Sequence, residues 1–209
     1  MDPEELIFII DDDSSIRTSL SLFLRSAGYV VETFASAEEF LERDEYSGIG
    51  CILLDVNMEG KSGPELHDEL IRMNSHLPVI FITGKGSISL SVNAIRKGAI
   101  NFLEKPFRED ELIQSIKDGF SWCKIVKTER EEKEKAMALT RKLTAREGEV
   151  LTYMMSGLLN KQIASKLNIA EHTVKLHRQS ICEKLGVTSV PEIIRIADKA
   201  GIISQPKNY

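Results

Sequence analysis

Five apolar blocks, none longer than five residues, punctuate the first 120 residues of this chain, at 6–10, 29–33, 51–54, 79–83 and 101–103. Blocks this short are strands rather than helices. Four of the five are nearly continuous instead of alternating, which is the pattern of strands covered on both faces in a parallel sheet. The stretches between them have helical periodicity and carry boundary signals. Ser36 with Glu39 forms a capping box, and Gly28 stands where a helix would end in a left-handed turn. Parallel neighbours need crossover helices, so five strands alternating with five helices predict a doubly wound α/β domain.

Past Trp122 the composition becomes highly charged, and residues 124–142 contain neither Gly nor Pro. Mixed charges at helical spacing favour an exposed helix, here the last helix of the first domain running on into a linker, with a solvated coil as the alternative. Residues 144–200 carry no strand signal. Thr144 with Glu147 opens a helix bearing Val150, Leu151 and Met154 that closes near Gly157. Asn160 is placed to cap a short helix through Leu167, and Asn168 suits a left-handed turn. A longer helix covers 170–185, and Pro191 fits the first turn of a last one reaching about Ala200. This is an all-α four-helix unit with the short–turn–long order of a helix-turn-helix. The boundaries expected are 5–120, a helical linker at 121–140, and 141–205.

The net charge of −5 conceals a division. Residues 140–209 hold eleven Lys/Arg against six Asp/Glu, whereas residues 1–139 hold sixteen against twenty-six. A basic small domain tied to an acidic larger one suits a polyanion-binding module. The three cysteines, Cys51, Cys123 and Cys182, are odd in number and far apart. They fit no disulfide framework and no metal spacing, which points to a reducing cytoplasm. The acidic start argues against a secretory signal, and no apolar run approaches the roughly 18 residues of a membrane span.

In a doubly wound sheet, ligands bind beyond the carboxyl ends of the strands. The polar residues there are Asp11, Asp12 and Asp13 after the first strand, Asp55 after the third, Thr83 and Gly84 after the fourth, and Lys105 and Pro106 after the fifth. The first and third strands are neighbours in this topology, so Asp12 and Asp55 meet. Carboxylates that close need a cation, and an oxygen-only donor set suits Mg²⁺ (or Mn²⁺). Lys105 adds an ammonium for Asp55 or a phosphoryl oxygen, and Thr83 a short hydroxyl donor. A carboxylate, a metal, an ammonium and a hydroxyl around one point make a site for phosphoryl transfer to the carboxylate.

These motifs, together with the run from Phe102 to Phe107, resemble the receiver domain of two-component response regulators, whose sheet is flavodoxin-like. The resemblance implies Asp55 as phosphoacceptor, Asp12 as direct metal ligand, Asp11 acting through water and Asn57 offering its main-chain carbonyl. It also implies Thr83 and Phe102 as a coupled switch pair, Lys105 as the phosphoryl-binding cation and a cis Lys105–Pro106 bond. One departure stands out: the family usually has Pro after Met, and here Met58 is followed by Glu59. That loosens the loop and adds a negative charge near the pocket. Lys85 is placed to tune hydrolysis of the acyl phosphate, with a plain surface lysine as the alternative.

From Asn160 to Gln179 the residues have the logic of a helix-turn-helix. Ala164 is small where the helices cross, and Ile163, Leu167, Ile169 and Val174 share a core. Lys175 and Gln179 point to base edges, while Lys161, Thr173, His177 and Lys184 are candidates for phosphate contact; Leu176 and Arg178 complete the reading helix. The segments beginning at Leu143, Gly157, Thr173 and Lys184 resemble the LuxR-type helix-turn-helix. A receiver followed by that domain is the organisation of the NarL/FixJ class, and the run from Lys97 to Phe107 is closest to its FixJ-like branch. What the resemblance implies is a transcription regulator rather than an enzyme, with a histidine kinase, promoter DNA and RNA polymerase as partners. Homodimers would form on phosphorylation through the fourth helix and fifth strand, residues 87–104. There Ile88, Val92 and Ile95 read as the core stripe, and Leu90 and Ala94 as the partner face. The alternatives are a pseudo-receiver with constitutive DNA binding and an aspartyl-phosphate enzyme; the latter would want an acid where Asn57 stands.

Overall fold

All five apolar blocks become strands of one parallel sheet in the computed structural model, which describes residues 5–84 and 88–202. The strands are β1 (Leu6–Ile10), β2 (Val30–Phe34), β3 (Gly50–Asp55), β4 (Val79–Thr83) and β5 (Asn101–Glu104), in the order β2-β1-β3-β4-β5. Helices α1 (Ser14–Ser26), α2 (Ala37–Glu42), α3 (Gly63–Arg72), α4 (Ile88–Arg96) and α5 (Glu109–Thr140) alternate with them. Every residue of β1, β3 and β4 is buried, whereas the edge strand β2 buries only Val31. Each fully covered Leu or Ile contributes about 1.5–3 kcal/mol, so the three central strands anchor the domain. Registry places Asp55 opposite Ile82 and Thr83 opposite Glu104, bringing the strand ends to one edge.

Local chemistry sets the helix ends. Asp13 caps α1 by accepting from the Ser15 N–H at 2.8 Å, and Ser36 caps α2 by accepting from Glu39. Gly28 follows α1 with φ +92°. The α4 expectation is corrected: Ala94 is buried, while Val92 and Ile95 are exposed. A methyl lets the helix approach the sheet where a longer side chain would hold it off, so the larger residues turn outward. The expectations for Lys85 and Ser87, and for the side chains of Ile88 and Leu90, lie outside the described residues.

Two contact-defined units divide the chain, Met1–Lys127 and Thr128–Tyr209, and α5 begins in the first and ends in the second. The second unit holds α6 (Ala145–Met155), α7 (Asn160–Leu167), α8 (Glu171–Leu185) and α9 (Val190–Lys199). Val150, Leu151, Ile163, Val174, Ile181 and Ile193 form its core, with Leu167 and Ile169 packed against it half-buried. Asn168, with φ 52°, makes the left-handed turn between α7 and α8. Asn160 does not cap α7: the chain enters at Leu159, whose N–H is satisfied by Gln162 Oε1 at 2.8 Å. The Asn160 side chain instead accepts from Arg178 of α8 at 2.7 Å.

Among the described residues of that unit, Glu147 is the buried charge. It accepts from the Thr144 N–H at 2.7 Å as part of the capping box, and from Ser180 Oγ and Lys184 Nζ, both at 2.6 Å. Burial opposes its ionisation, but the bonds from Lys184, Ser180 and Thr144 outweigh that and hold its carboxyl down to about 2. A depressed carboxyl stabilises the fold above its unfolded value near 4.5, and that contribution is lost as pH falls towards 2. The protection of α6 and α8 amides, taken relative to their intrinsic exchange rates at each pH, is therefore expected to fall across this window in the native protein and not in Glu147→Gln.

A matched glycine pair tests the packing. A Cβ at Gly63 would stand 2.1 Å from the Asp55 main-chain oxygen, whereas one at Gly148 meets nothing within 4 Å. Gly63→Ala is expected to destabilise the first unit by about 1–3 kcal/mol. Gly148→Ala is expected to stabilise the second by about 0.5–1 kcal/mol, both read by urea denaturation.

Candidate functional site

Three strand ends converge through one ammonium. Lys105 Nζ donates to Asp11 Oδ2 at 2.8 Å and to Asp55 Oδ1 at 2.9 Å. Asp11 and Asp55 are both buried, whereas Asp12 and Asn57 are exposed. Lys105, expected beside Asp55, is divided between two carboxylates. Burial pushes the Asp11 carboxyl above the ordinary aspartate value, against the pull of Lys105 and the Asp13 N–H. Lys105 moves the same way: burial opposes its charge, but its bonds to Asp11 and Asp55 win and raise it.

Main-chain amides take one oxygen of each acidic residue. Asp11 Oδ1 accepts from Asp13 at 2.9 Å, Asp55 Oδ2 from Asn57 at 2.7 Å, and Asp12 Oδ2 from Glu59 at 3.0 Å. Thr83 is fully buried at the end of β4, and its carbonyl accepts from the Lys105 N–H at 2.7 Å. The Lys105–Pro106 bond is cis. Phe102 is half-buried, with its ring centroid 6.1 Å from that of Phe81. Arg17 was missed in the sequence: it donates to the Asp11 carbonyl at 2.6 Å. Nothing in its spacing marks it, because the contact depends on how α1 leaves β1.

These donors suit a hard divalent cation. They are carboxylate and carbonyl oxygens without sulfur or imidazole, and each carboxylate keeps an oxygen not bound by an amide. Among the described residues, no group of three or more His, Cys, Asp and Glu stands at metal-holding spacing. Asp11, Asp12 and Asp55 are thus neighbours here rather than a closed cage, as an ion that keeps several waters allows.

On α8, the structure separates the expected DNA-facing residues into two groups. Lys175 and Leu176 are exposed, Leu176 by 52%. Lys175 lies 3.8 Å from Glu171, an exposed pair worth at most about 1 kcal/mol and so readily exchanged for another anion. Lys161 of α7 is also exposed, while Thr173 and His177 are half-buried. Gln179 donates to Glu183 at 3.0 Å and Arg178 to Asn160. Lys184, expected as a phosphate contact, places its ammonium 2.6 Å from buried Glu147. Sequence alone shows a lysine on a basic helix, and only the approach of α6 shows what it meets.

Comparison with known proteins agrees with both halves. Residues 7–117 match the response regulator receiver domain, and residues 141–197 match the luxR family of bacterial regulatory proteins. The chain is 38% identical to response regulator protein TmoT of Ectopseudomonas mendocina, over 95% of this chain and 90% of that protein. It is 33% identical to transcriptional regulatory protein FixJ of Bradyrhizobium diazoefficiens, over 95% and 97% respectively. Among solved structures, response regulator StyR is similar at 42% identity and TM-score 0.80, covering 94% of this chain and 99% of that one. Full-length FixJ from B. japonicum is similar at 33% identity and TM-score 0.55, covering 95% and 98%. No described helix is long and apolar enough to cross a membrane. With a receiver and a LuxR-type helix-turn-helix in one chain, the protein belongs to the NarL/FixJ class of two-component response regulators, which are transcription regulators and not catalytic enzymes.

Proposed function

We propose that Asp55 accepts a phosphoryl group from a histidine kinase and that the modified chain pairs with a second copy to bind promoter DNA. The observation that carries this reading is the Lys105 ammonium held between buried Asp11 and Asp55. Asp12 and the Asn57 carbonyl would hold Mg²⁺ (or Mn²⁺) directly, with Asp11 acting through water. When bound, the ion neutralises charge on the transferring group. An Asp55 carboxylate oxygen attacks phosphorus, the P–N bond of the donor phosphohistidine breaks, and the imidazole leaves with the electron pair. Lys105 then shifts its bond from Asp55 to a phosphoryl oxygen, and the Thr83 hydroxyl donates to another. Phe102, only half-buried against Phe81, turns inward behind Thr83.

Val92 and Ile95, exposed on α4, supply apolar surface for a second receiver against α4 and β5. Pairing then raises the effective concentration of one reading helix once its twin is bound. Along α8, the exposed Lys175 is the residue for base edges, with Gln179 one turn on; Lys161, Thr173, His177 and Lys184 meet phosphates. RNA polymerase is the downstream partner, and the domain limits 5–120, 121–140 and 141–205 remain the working division.

Two measurements test this reading. With acetyl phosphate and Mg²⁺, the protein is expected to gain one phosphate-sized mass that Asp55→Asn does not; no gain in the native protein refutes the phosphoacceptor. Lys175→Ala is expected to cost about 1–3 kcal/mol on a specific promoter and less on random DNA, by titration at fixed salt. Equal losses on both would make Lys175 a phosphate contact.

A further inference from the structure

We infer that the main-chain N–H of Glu59 is a positioning group for the divalent cation, acting through Asp12. This rests on the proposed reading of Asp12 as a metal ligand and goes beyond it. Asp11 and Asp55 are held by their own loops, each accepting from the amide two residues on, at 2.9 and 2.7 Å. Both are also buried and gripped by Lys105. Asp12 has neither support. It is exposed, and the amide bound to its carboxylate comes from 47 residues away, from Glu59 at 3.0 Å.

That bond ties the β1–α1 loop to the β3–α3 loop, the two segments that carry every proposed metal donor. Without it, an exposed aspartate samples its staggered rotamers, and ordering it is an entropic cost of metal binding. With Oδ2 fixed, Oδ1 remains for the cation. The contact depends on residue 59 having an N–H, which proline lacks. The Glu59 backbone therefore compensates for the rigidity that a proline ring would bring, by anchoring the loop to the ligand itself.

The test separates amide from side chain. Glu59→Ala and Glu59→Pro both remove the carboxylate, and only the second removes the N–H. Mg²⁺ titrated calorimetrically into the full-length protein is expected to bind Glu59→Pro on the order of fivefold more weakly than Glu59→Ala. Equal affinities overturn the inference. A measurement independent of the proline is amide exchange at residue 59, expected to be slow in the native protein and faster in Asp12→Ala; equal rates also overturn it. Asp12→Ala titrated in parallel distinguishes the two levels. If it weakens Mg²⁺ while the Ala and Pro variants agree, the positioning role fails and the metal reading stands. If it binds Mg²⁺ like the native protein, the metal reading itself falls.

Discussion

Two buried carboxylates at the ends of β1 and β3 would repel one another without a cation, and Lys105 at the end of β5 supplies it. Removing either kind of partner would leave an uncompensated buried charge, far costlier than never having built the pair. The triad therefore has two effects at once. It draws the end of β5, across the intervening β4, to the adjacent ends of β1 and β3, and it holds the Asp55 carboxylate in one orientation within a buried site. Asn57, Asp13 and Glu59 complete the arrangement with main-chain amides, one to each acidic side chain.

A similar device recurs in the second unit with a different outcome. Glu147 is a buried carboxylate held by a lysine, a hydroxyl and a cap amide, and what it fixes is a helix. Ser180 and Lys184 lie in the C-terminal half of α8, so that half is committed to α6. Lys175 and Leu176, nearer the N-terminus of α8, stay at the surface. The helix is thereby divided along its length into a held end and an exposed end, the exposed end being the one proposed to read DNA.

Much of this was legible beforehand, and the exceptions have a common cause. The strands could be placed because burial on both faces leaves an unmistakable run of apolar residues. Thr144, Ser36, Gly28 and Asn168 could be read because caps and left-handed turns are local. The α4 stripe was misassigned because Val92, Ile95 and Ala94 are all apolar, and periodicity alone does not rank a valine above an alanine for the core. Asn160 was expected as a cap, and the Glu147 partner of Lys184 was not foreseen, for the same reason: each is polar on a helix that looks solvated until another helix is laid beside it. Arg17 and the Glu59 amide gave no signal at all, since a hydrogen bond to the Asp11 carbonyl six residues away, or from the Glu59 amide 47 residues away, uses a main-chain group that has no residue-type signature.

Residue order alone was enough for the alternation of elements, the residues standing at the strand ends, and the helix-turn-helix with its basic face. These follow from periodicity, caps and turn residues, all of which act within a few positions. How charge is shared came from packing between elements: Lys105 between Asp11 and Asp55, Lys184 beside Glu147, Asp12 tied to Glu59, and α4 turned on Ala94. Local patterning states which groups seek partners, but a charge or an amide bonds to whatever the fold brings within about 3 Å, and that distance is set by packing between elements far apart in the chain.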